Sequence, residues 1–158
     1  MTVKFTAISC CLAMVCATTK KGDADALKPT LEVFHGEMRW KNYRSLSQLI
    51  VPEKRDGFMK ASLARNDEKN LFVTDYTLED CRLNVPDQTT AVCISKVSWY
   101  RLPSASEKTV TVATTLSWQG GQWLVDRQSD GPFAEELSTA AAPQPAPQPE
   151  PEPQNNTP

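Results

Sequence analysis

Residues 108–125 read KTVTVATTLSWQGGQWLV, and this stretch decides the fold. Val110, Val112, Thr114, Leu116 and Trp118 recur at every second position, the period of a strand with one buried face. Gly120-Gly121 supplies the positive φ angles of a two-residue hairpin loop. With these glycines as the loop, Gln119 faces Gln122, Trp118 faces Trp123 and Leu116 faces Val125, so two tryptophans meet on one face. Burying such rings contributes on the order of a few kcal/mol each, enough to secure a sheet against helices. Lining a ligand pocket is their alternative use.

Residues 71–85 and 90–102 are rich in β-branched and aromatic side chains, with turn chemistry in Pro86-Asp87-Gln88-Thr89. They predict a second hairpin. Cys81 and Cys93 lie symmetrically about Asp87. A three-residue loop makes them direct partners and allows a disulfide, whereas a four-residue loop turns them to opposite faces and leaves two thiols. Residues 108–118 and 122–127 complete a sheet of about four strands.

Before the strands the period changes. Leu27, Leu31, Phe34 and Met38 are spaced by four, three and four, which places them on one face of a helix begun near Asp23 to Asp25 and Pro29. Ser45 is expected to cap a short turn carrying Leu46, Leu49 and Ile50. Pro52 and Glu53 start a further helix with Phe58, Met59 and Leu63 on its inner side, interrupted at Gly57. The expected class is α+β, with two or three N-terminal helices on a curved antiparallel sheet.

The ends differ from this domain in composition. Lys4 precedes a mostly apolar run from Phe5 to Val15, too short to span a bilayer as a helix and closed by polar residues from Thr18, which is the pattern of an export signal. Leu12-Ala13-Met14-Val15-Cys16-Ala17 resembles the end of a bacterial lipoprotein signal peptide. That resemblance implies acylation (palmitate-type chains) at Cys16 and a membrane anchor, with Ala17 after the cysteine favouring the outer membrane facing the periplasm. Cleavage after Ala17 would instead release a soluble periplasmic or secreted protein. From Ser138 the chain becomes alanine-rich, and prolines occupy alternate positions from Pro143 to Pro153. That composition forms no core and reads as a disordered, stiff tail. The expected division is a signal peptide at 1–15, a lipidated cysteine and linker at 16–23, a domain at 24–137 and a tail at 138–158.

The order of elements, helices first and then a meander ending in Trp118-Gln119-Gly120-Gly121-Gln122-Trp123, resembles the nuclear transport factor two-like superfamily of cone-shaped α+β domains. Some members use Asp, Tyr or His inside the cone as isomerases or dehydratases, while others only bind ligands or proteins. No catalytic motif of those enzymes is recognisable here, and none of their residues is carried over; by position, the catalytic candidates are His35, expected to be partly exposed on helix one, and Asp75. The candidate pocket lining is Phe34, Tyr76, Trp118 and Trp123. Glu79 and Asp80 cannot share a pocket, because adjacent strand residues face opposite ways.

The chain carries 17 basic and 19 acidic residues for a net charge of −2, which is no footprint for nucleic acid. Lys54-Arg55, Lys41 and Arg44 read as solvated surface. One histidine and no close cysteine pair in the domain offer no metal-ligand pattern, and no phosphate or dinucleotide loop occurs among six glycines, so no cofactor is expected. The leading expectation is a non-enzymatic envelope lipoprotein, held to the membrane by its lipid and binding a small apolar ligand or an envelope protein. A cone-pocket enzyme is the alternative, and a tether acting through its tail is a third possibility.

Overall fold

The computed structural model describes residues 21–138. The expected signal segment, Cys16 and the proline-rich tail lie outside these residues. In order, α1 spans Leu27–Arg39, α2 Tyr43–Gln48, α3 Pro52–Ala64 and α4 Asp67–Asn70; then come β1 Leu71–Leu83, β2 Thr90–Arg101, β3 Lys108–Gln119 and β4 Gln122–Gln128, and α5 at Ala134–Ser138. The strands form one antiparallel meander in the order β1-β2-β3-β4. This is the expected α+β architecture.

Extra residues interrupt the pairing between Val73 and Asp75, between Leu78 and Asp80, and between Thr115 and Leu116. Each bulge raises the local twist and bends its strand, which gives the sheet its curvature. The helices lie against the concave face. Leu27, Leu31, Phe34 and Met38 of α1 are all buried, as their spacing requires. They meet Val97, Val112, Leu116 and Val125 in one core.

The β3–β4 register is the one that the glycine pair dictates: Gln119 pairs with Gln122, Trp118 with Trp123 and Leu116 with Val125. Gly120 and Gly121 both have positive φ, 59° and 85°. In the other hairpin Cys81 pairs with Cys93, the register that permits the bond, and the two form a disulfide.

The helical region departs from expectation at several points. The cap position of α2 belongs to Asn42, and Ser45 lies inside the helix. Helix α3 runs through Gly57 without a break and buries Phe58 and Ser62, a spacing of four that leaves Leu63 82% exposed. Lys54 is not solvated surface: its side chain is 11% exposed and its ammonium group donates to the carbonyls of Asp126 and Leu137 while pairing with the Asp126 carboxylate at 3.0 Å. Arg55 donates to the Ile50 carbonyl, and Lys41 sits 3.4 Å from the Phe72 ring centre. Backbone bonds from Val51 N to Val125 O (3.0 Å) and from Val125 N to Leu49 O (2.7 Å) form a parallel bridge that ties the α2–α3 connection to β4. Long-range pairing of this kind has no local signature.

Candidate functional site

His35 differs most from its sequence reading. It is fully enclosed, its ring stacks on Tyr76 with centres 5.0 Å apart, and Phe34 approaches edge-on at 5.9 Å. Tyr76 follows the first β1 bulge, which aims it at α1. Neither imidazole nitrogen has a hydrogen-bond partner. Burial is the larger influence and lowers the His35 pKa from 6.5 to about 4; the Leu31 carbonyl one turn back opposes this only in part. The ring is therefore neutral near pH 7. Asp75 is exposed and pairs with Ser98 just after the bulge, and no hydrogen bond or ion pair joins it to His35. Asp80 pairs with Arg82 at 2.7 Å on the outer face of the sheet.

The remaining aromatic candidates separate into two groups. Phe34 joins His35 and Tyr76, whereas Trp118 meets Trp123 edge-on at 5.3 Å near the hairpin tip. Trp123 is 2% exposed and donates its indole N–H to the Asp23 carbonyl at 2.6 Å. Gly22 lies against that ring so closely that a Cβ would stand 2.2 Å from it. The N-terminal approach of the domain is thus locked across the β3–β4 hairpin. A further cluster of Tyr43, Phe58 and Phe133 fills the space between α2, α3 and α5, with Phe58 and Phe133 edge-to-face at 5.0 Å.

Charged chemistry gathers at the other end of β2. Asp67, completely buried at the start of α4, takes the Arg65 guanidinium at 2.7 Å and the Arg101 Nε at 3.1 Å. Arg65 also pairs with Glu136 of α5. Burial by itself would lower the Arg65 pKa, but hydrogen bonding and charge from Asp67 and Glu136 outweigh it and raise that pKa. Burial, reinforced by the Asp67 charge, raises the Tyr43 pKa against the pull of the two arginines. The network joins α3, α4, β2 and α5, and each charge has a partner of opposite sign.

Beside this network lies a cavity of about 190 Å³, walled by Trp99 and Arg101 of β2, by Asp130, Gly131 and Pro132 of the turn after β4, and by α5 through Glu136. Asp130 holds a left-handed φ of 56°, and a Cβ on Gly131 would stand 2.5 Å from the end of the Gln128 side chain, which would have to shift to admit it. The Trp99 indole N–H and Glu136 Oε2 are buried without hydrogen-bond partners. Lys108 stands 5.2 Å from the Trp99 ring centre and Arg101 5.6 Å from it. The sequence held one overlooked signal: Cys93, Ser95, Val97, Trp99 and Arg101 share the inward register of β2, which carries a charge and an indole toward the interior.

Among the described residues no three His, Cys, Asp or Glu side chains gather where they could hold a metal ion. A 100 Å³ cavity walled by Tyr43, Met59, Ser62 and Asp67 adjoins the network on its helical side.

No family model matches the chain, and no curated protein matches it. Solved structures do. A protein described as a SnoaL-like polyketide cyclase from Mesorhizobium loti is similar over 61% of this chain and 92% of its own, with TM-score 0.42 and 8% identity. A SEC-C motif containing protein from Rhodopseudomonas palustris is similar over 65% of this chain and 77% of its own, with TM-score 0.53 and 10% identity. At that identity, what the chain shares with the Rhodopseudomonas protein is its fold.

Proposed function

We propose that this chain is a non-enzymatic binding domain of the bacterial cell envelope, carried on an acylated Cys16, with a nuclear transport factor two-like fold adapted to hold a ligand at the end of its sheet. The observation that carries the reading is the contrast between the two polar centres. His35, the expected base, is enclosed, neutral and unaccompanied by a carboxylate, while the cavity at the end of the sheet is lined by the charged side chains Arg101, Asp130, Glu135 and Glu136 beside Trp99. A general base must reach the proton it removes, and His35 at 0% exposure has no such access. A preformed concavity lined by polar and charged side chains suits binding. A polar ligand in this cavity replaces the apolar one expected between Phe34, Tyr76, Trp118 and Trp123, since Phe34 and Trp123 are buried against protein neighbours.

The anchor and the binding are separately testable on protein made in the native host. An intact mass with a lipid-sized increment on Cys16 and partition into detergent support the anchor; a chain beginning at Thr18 refutes it. A native mass spectrum with excess mass that is lost on denaturation supports binding.

A further inference from the structure

The helical side of the domain carries a groove distinct from the cavity at Trp99. A 340 Å³ hollow walled by the segment from Lys41 to Ser45 shares Tyr43, Met59 and Glu68 with the 100 Å³ cavity beside Asp67, so the two are continuous between α2, the C-terminal half of α3 and α4. The larger part alone exceeds the roughly 300 Å³ at which ligand clefts begin. Its floor is apolar. Tyr43 and Met59 line both parts, and Leu63, 82% exposed, lines the smaller one. Its edges are donors: Asn42, Arg44, Ser45 and Asn66 are exposed there, and their side chains make no hydrogen bond among the described residues. Lys41 is committed to the Glu68 carbonyl and the Phe72 ring, and Asp67 to Arg65 and Arg101. The Arg44 and Glu68 side chains form no ion pair among the described residues, so an acidic ligand group is drawn to Arg44 and repelled by Glu68. Charge thus fixes its direction in the groove.

We propose that this groove holds the chain's own proline-rich segment, Pro143 to Pro153, with its glutamates toward Arg44. Polyproline II leaves every carbonyl without an internal partner, and proline at alternate positions removes half of the backbone donors, so such a segment is an apolar ribbon rich in acceptors. A donor-edged groove with an aromatic floor is its complement. Glu150 and Glu152 are the only charges after Glu136. The attachment is also close: α5 leads into the segment, its Glu136 pairs with Arg65, and Arg65 pairs with Asp67 of the groove wall. The start of the tail therefore stands about one helix diameter, roughly 10–12 Å, from the groove, and the five residues from Ser138 to Pro143 span up to roughly 15 Å in polyproline II. Glu150 lies within roughly 37 Å of Ser138 along the chain, more than the roughly 20 Å length of α3, so it reaches Arg44 without strain. A short tether supplies an effective concentration of about 1 mM, at which a segment of that free-peptide Kd fills the groove about half the time. The inference is independent of the cavity at the end of the sheet.

The test uses the full chain with ¹³C-methyl methionine, in which Met59 reports the groove and Met38, 1% exposed in the core, serves as internal control. The wild type is compared with a variant whose tail is loosened by Pro147→Gly, Pro149→Gly and Pro151→Gly, all outside the folded domain. The expected result is a displaced Met59 methyl resonance with Met38 unmoved. A synthetic peptide of residues 138–158, added to the loosened variant, should return Met59 to its wild-type position with Kd of about 1 mM or tighter. Arg44→Glu should weaken that binding about threefold or more, and a peptide with Glu150→Lys and Glu152→Lys should restore it, which a merely structural role of Arg44 would not do. Identical Met59 positions in the two chains together with no saturable shift by the peptide would overturn the proposal. A peptide shift without a difference between the chains would overturn it in favour of a proline-rich segment of another protein, and a difference that vanishes on dilution would overturn it in favour of a second copy's tail. Equal movement of Met38 would mark a change of the core and count against docking.

Discussion

Acidification should destabilise this domain through His35 in a way that one substitution removes. The folded pKa of about 4 lies below the ordinary 6.5, so between these values the unfolded chain binds more protons than the folded one. Stability is then full above about pH 6.5 and falls as the pH drops toward 4. The whole interval corresponds to roughly 3 kcal/mol, and at pH 5 the loss is already about 2 kcal/mol. His35→Phe keeps an aromatic ring against Tyr76 but cannot take up a proton. Urea unfolding of both proteins across this range, followed by tryptophan fluorescence, gives each stability as a function of pH. Carboxylates titrate in both, so the difference between the curves isolates the histidine. The variant should gain about 2 kcal/mol relative to wild type between pH 7.5 and pH 5. Parallel curves would refute the enclosed, neutral histidine.

Replacing both Cys81 and Cys93 by Ser should cost about 3 kcal/mol, from the loop-closure entropy of a 12-residue separation, and reductant should lower the wild-type midpoint by the same amount in denaturant titration. Asp67→Asn leaves Arg65 and Arg101 without their buried carboxylate and should lose roughly 3 kcal/mol, measured by the same titration; a change under about 1 kcal/mol would show the network to be solvated. Gly22→Ala places a methyl group 2.2 Å from the Trp123 ring and should cost roughly 1–3 kcal/mol, with a shifted Trp123 indole resonance as the Asp23 carbonyl is displaced. An unshifted resonance would mean that the N-terminal approach does not rest on that ring.

The elements with local periodicity were legible. Helix α1 was readable because Leu27, Leu31, Phe34 and Met38 can be apolar together only on a helix, and the β3–β4 register because a two-glycine loop admits one pairing. The disulfide needed one added fact, the loop length between β1 and β2, which the sequence left at two values and the register of Cys81 with Cys93 resolves. His35 was misread because it stands one step from the apolar stripe of α1. Its burial depends on the bulge between Val73 and Asp75, which carries Tyr76 over the helix. Leu63 was misread for a related reason: Phe58 selects Ser62 as its neighbour one turn on, and the helix turns Leu63 outward.

By itself the sequence determined the class of every strand, the face of the first helix, the meeting of Trp118 with Trp123 and the break in composition at both ends, because each follows from neighbours within about ten residues in the chain. Tertiary structure decided which polar groups meet. Asp67, Arg101 and Glu136 are far apart in sequence, and only the folding of α4 and α5 against the end of β2 makes them one network. Charge attraction acts over space rather than along the chain, so residue order could supply these three side chains but not their partnership.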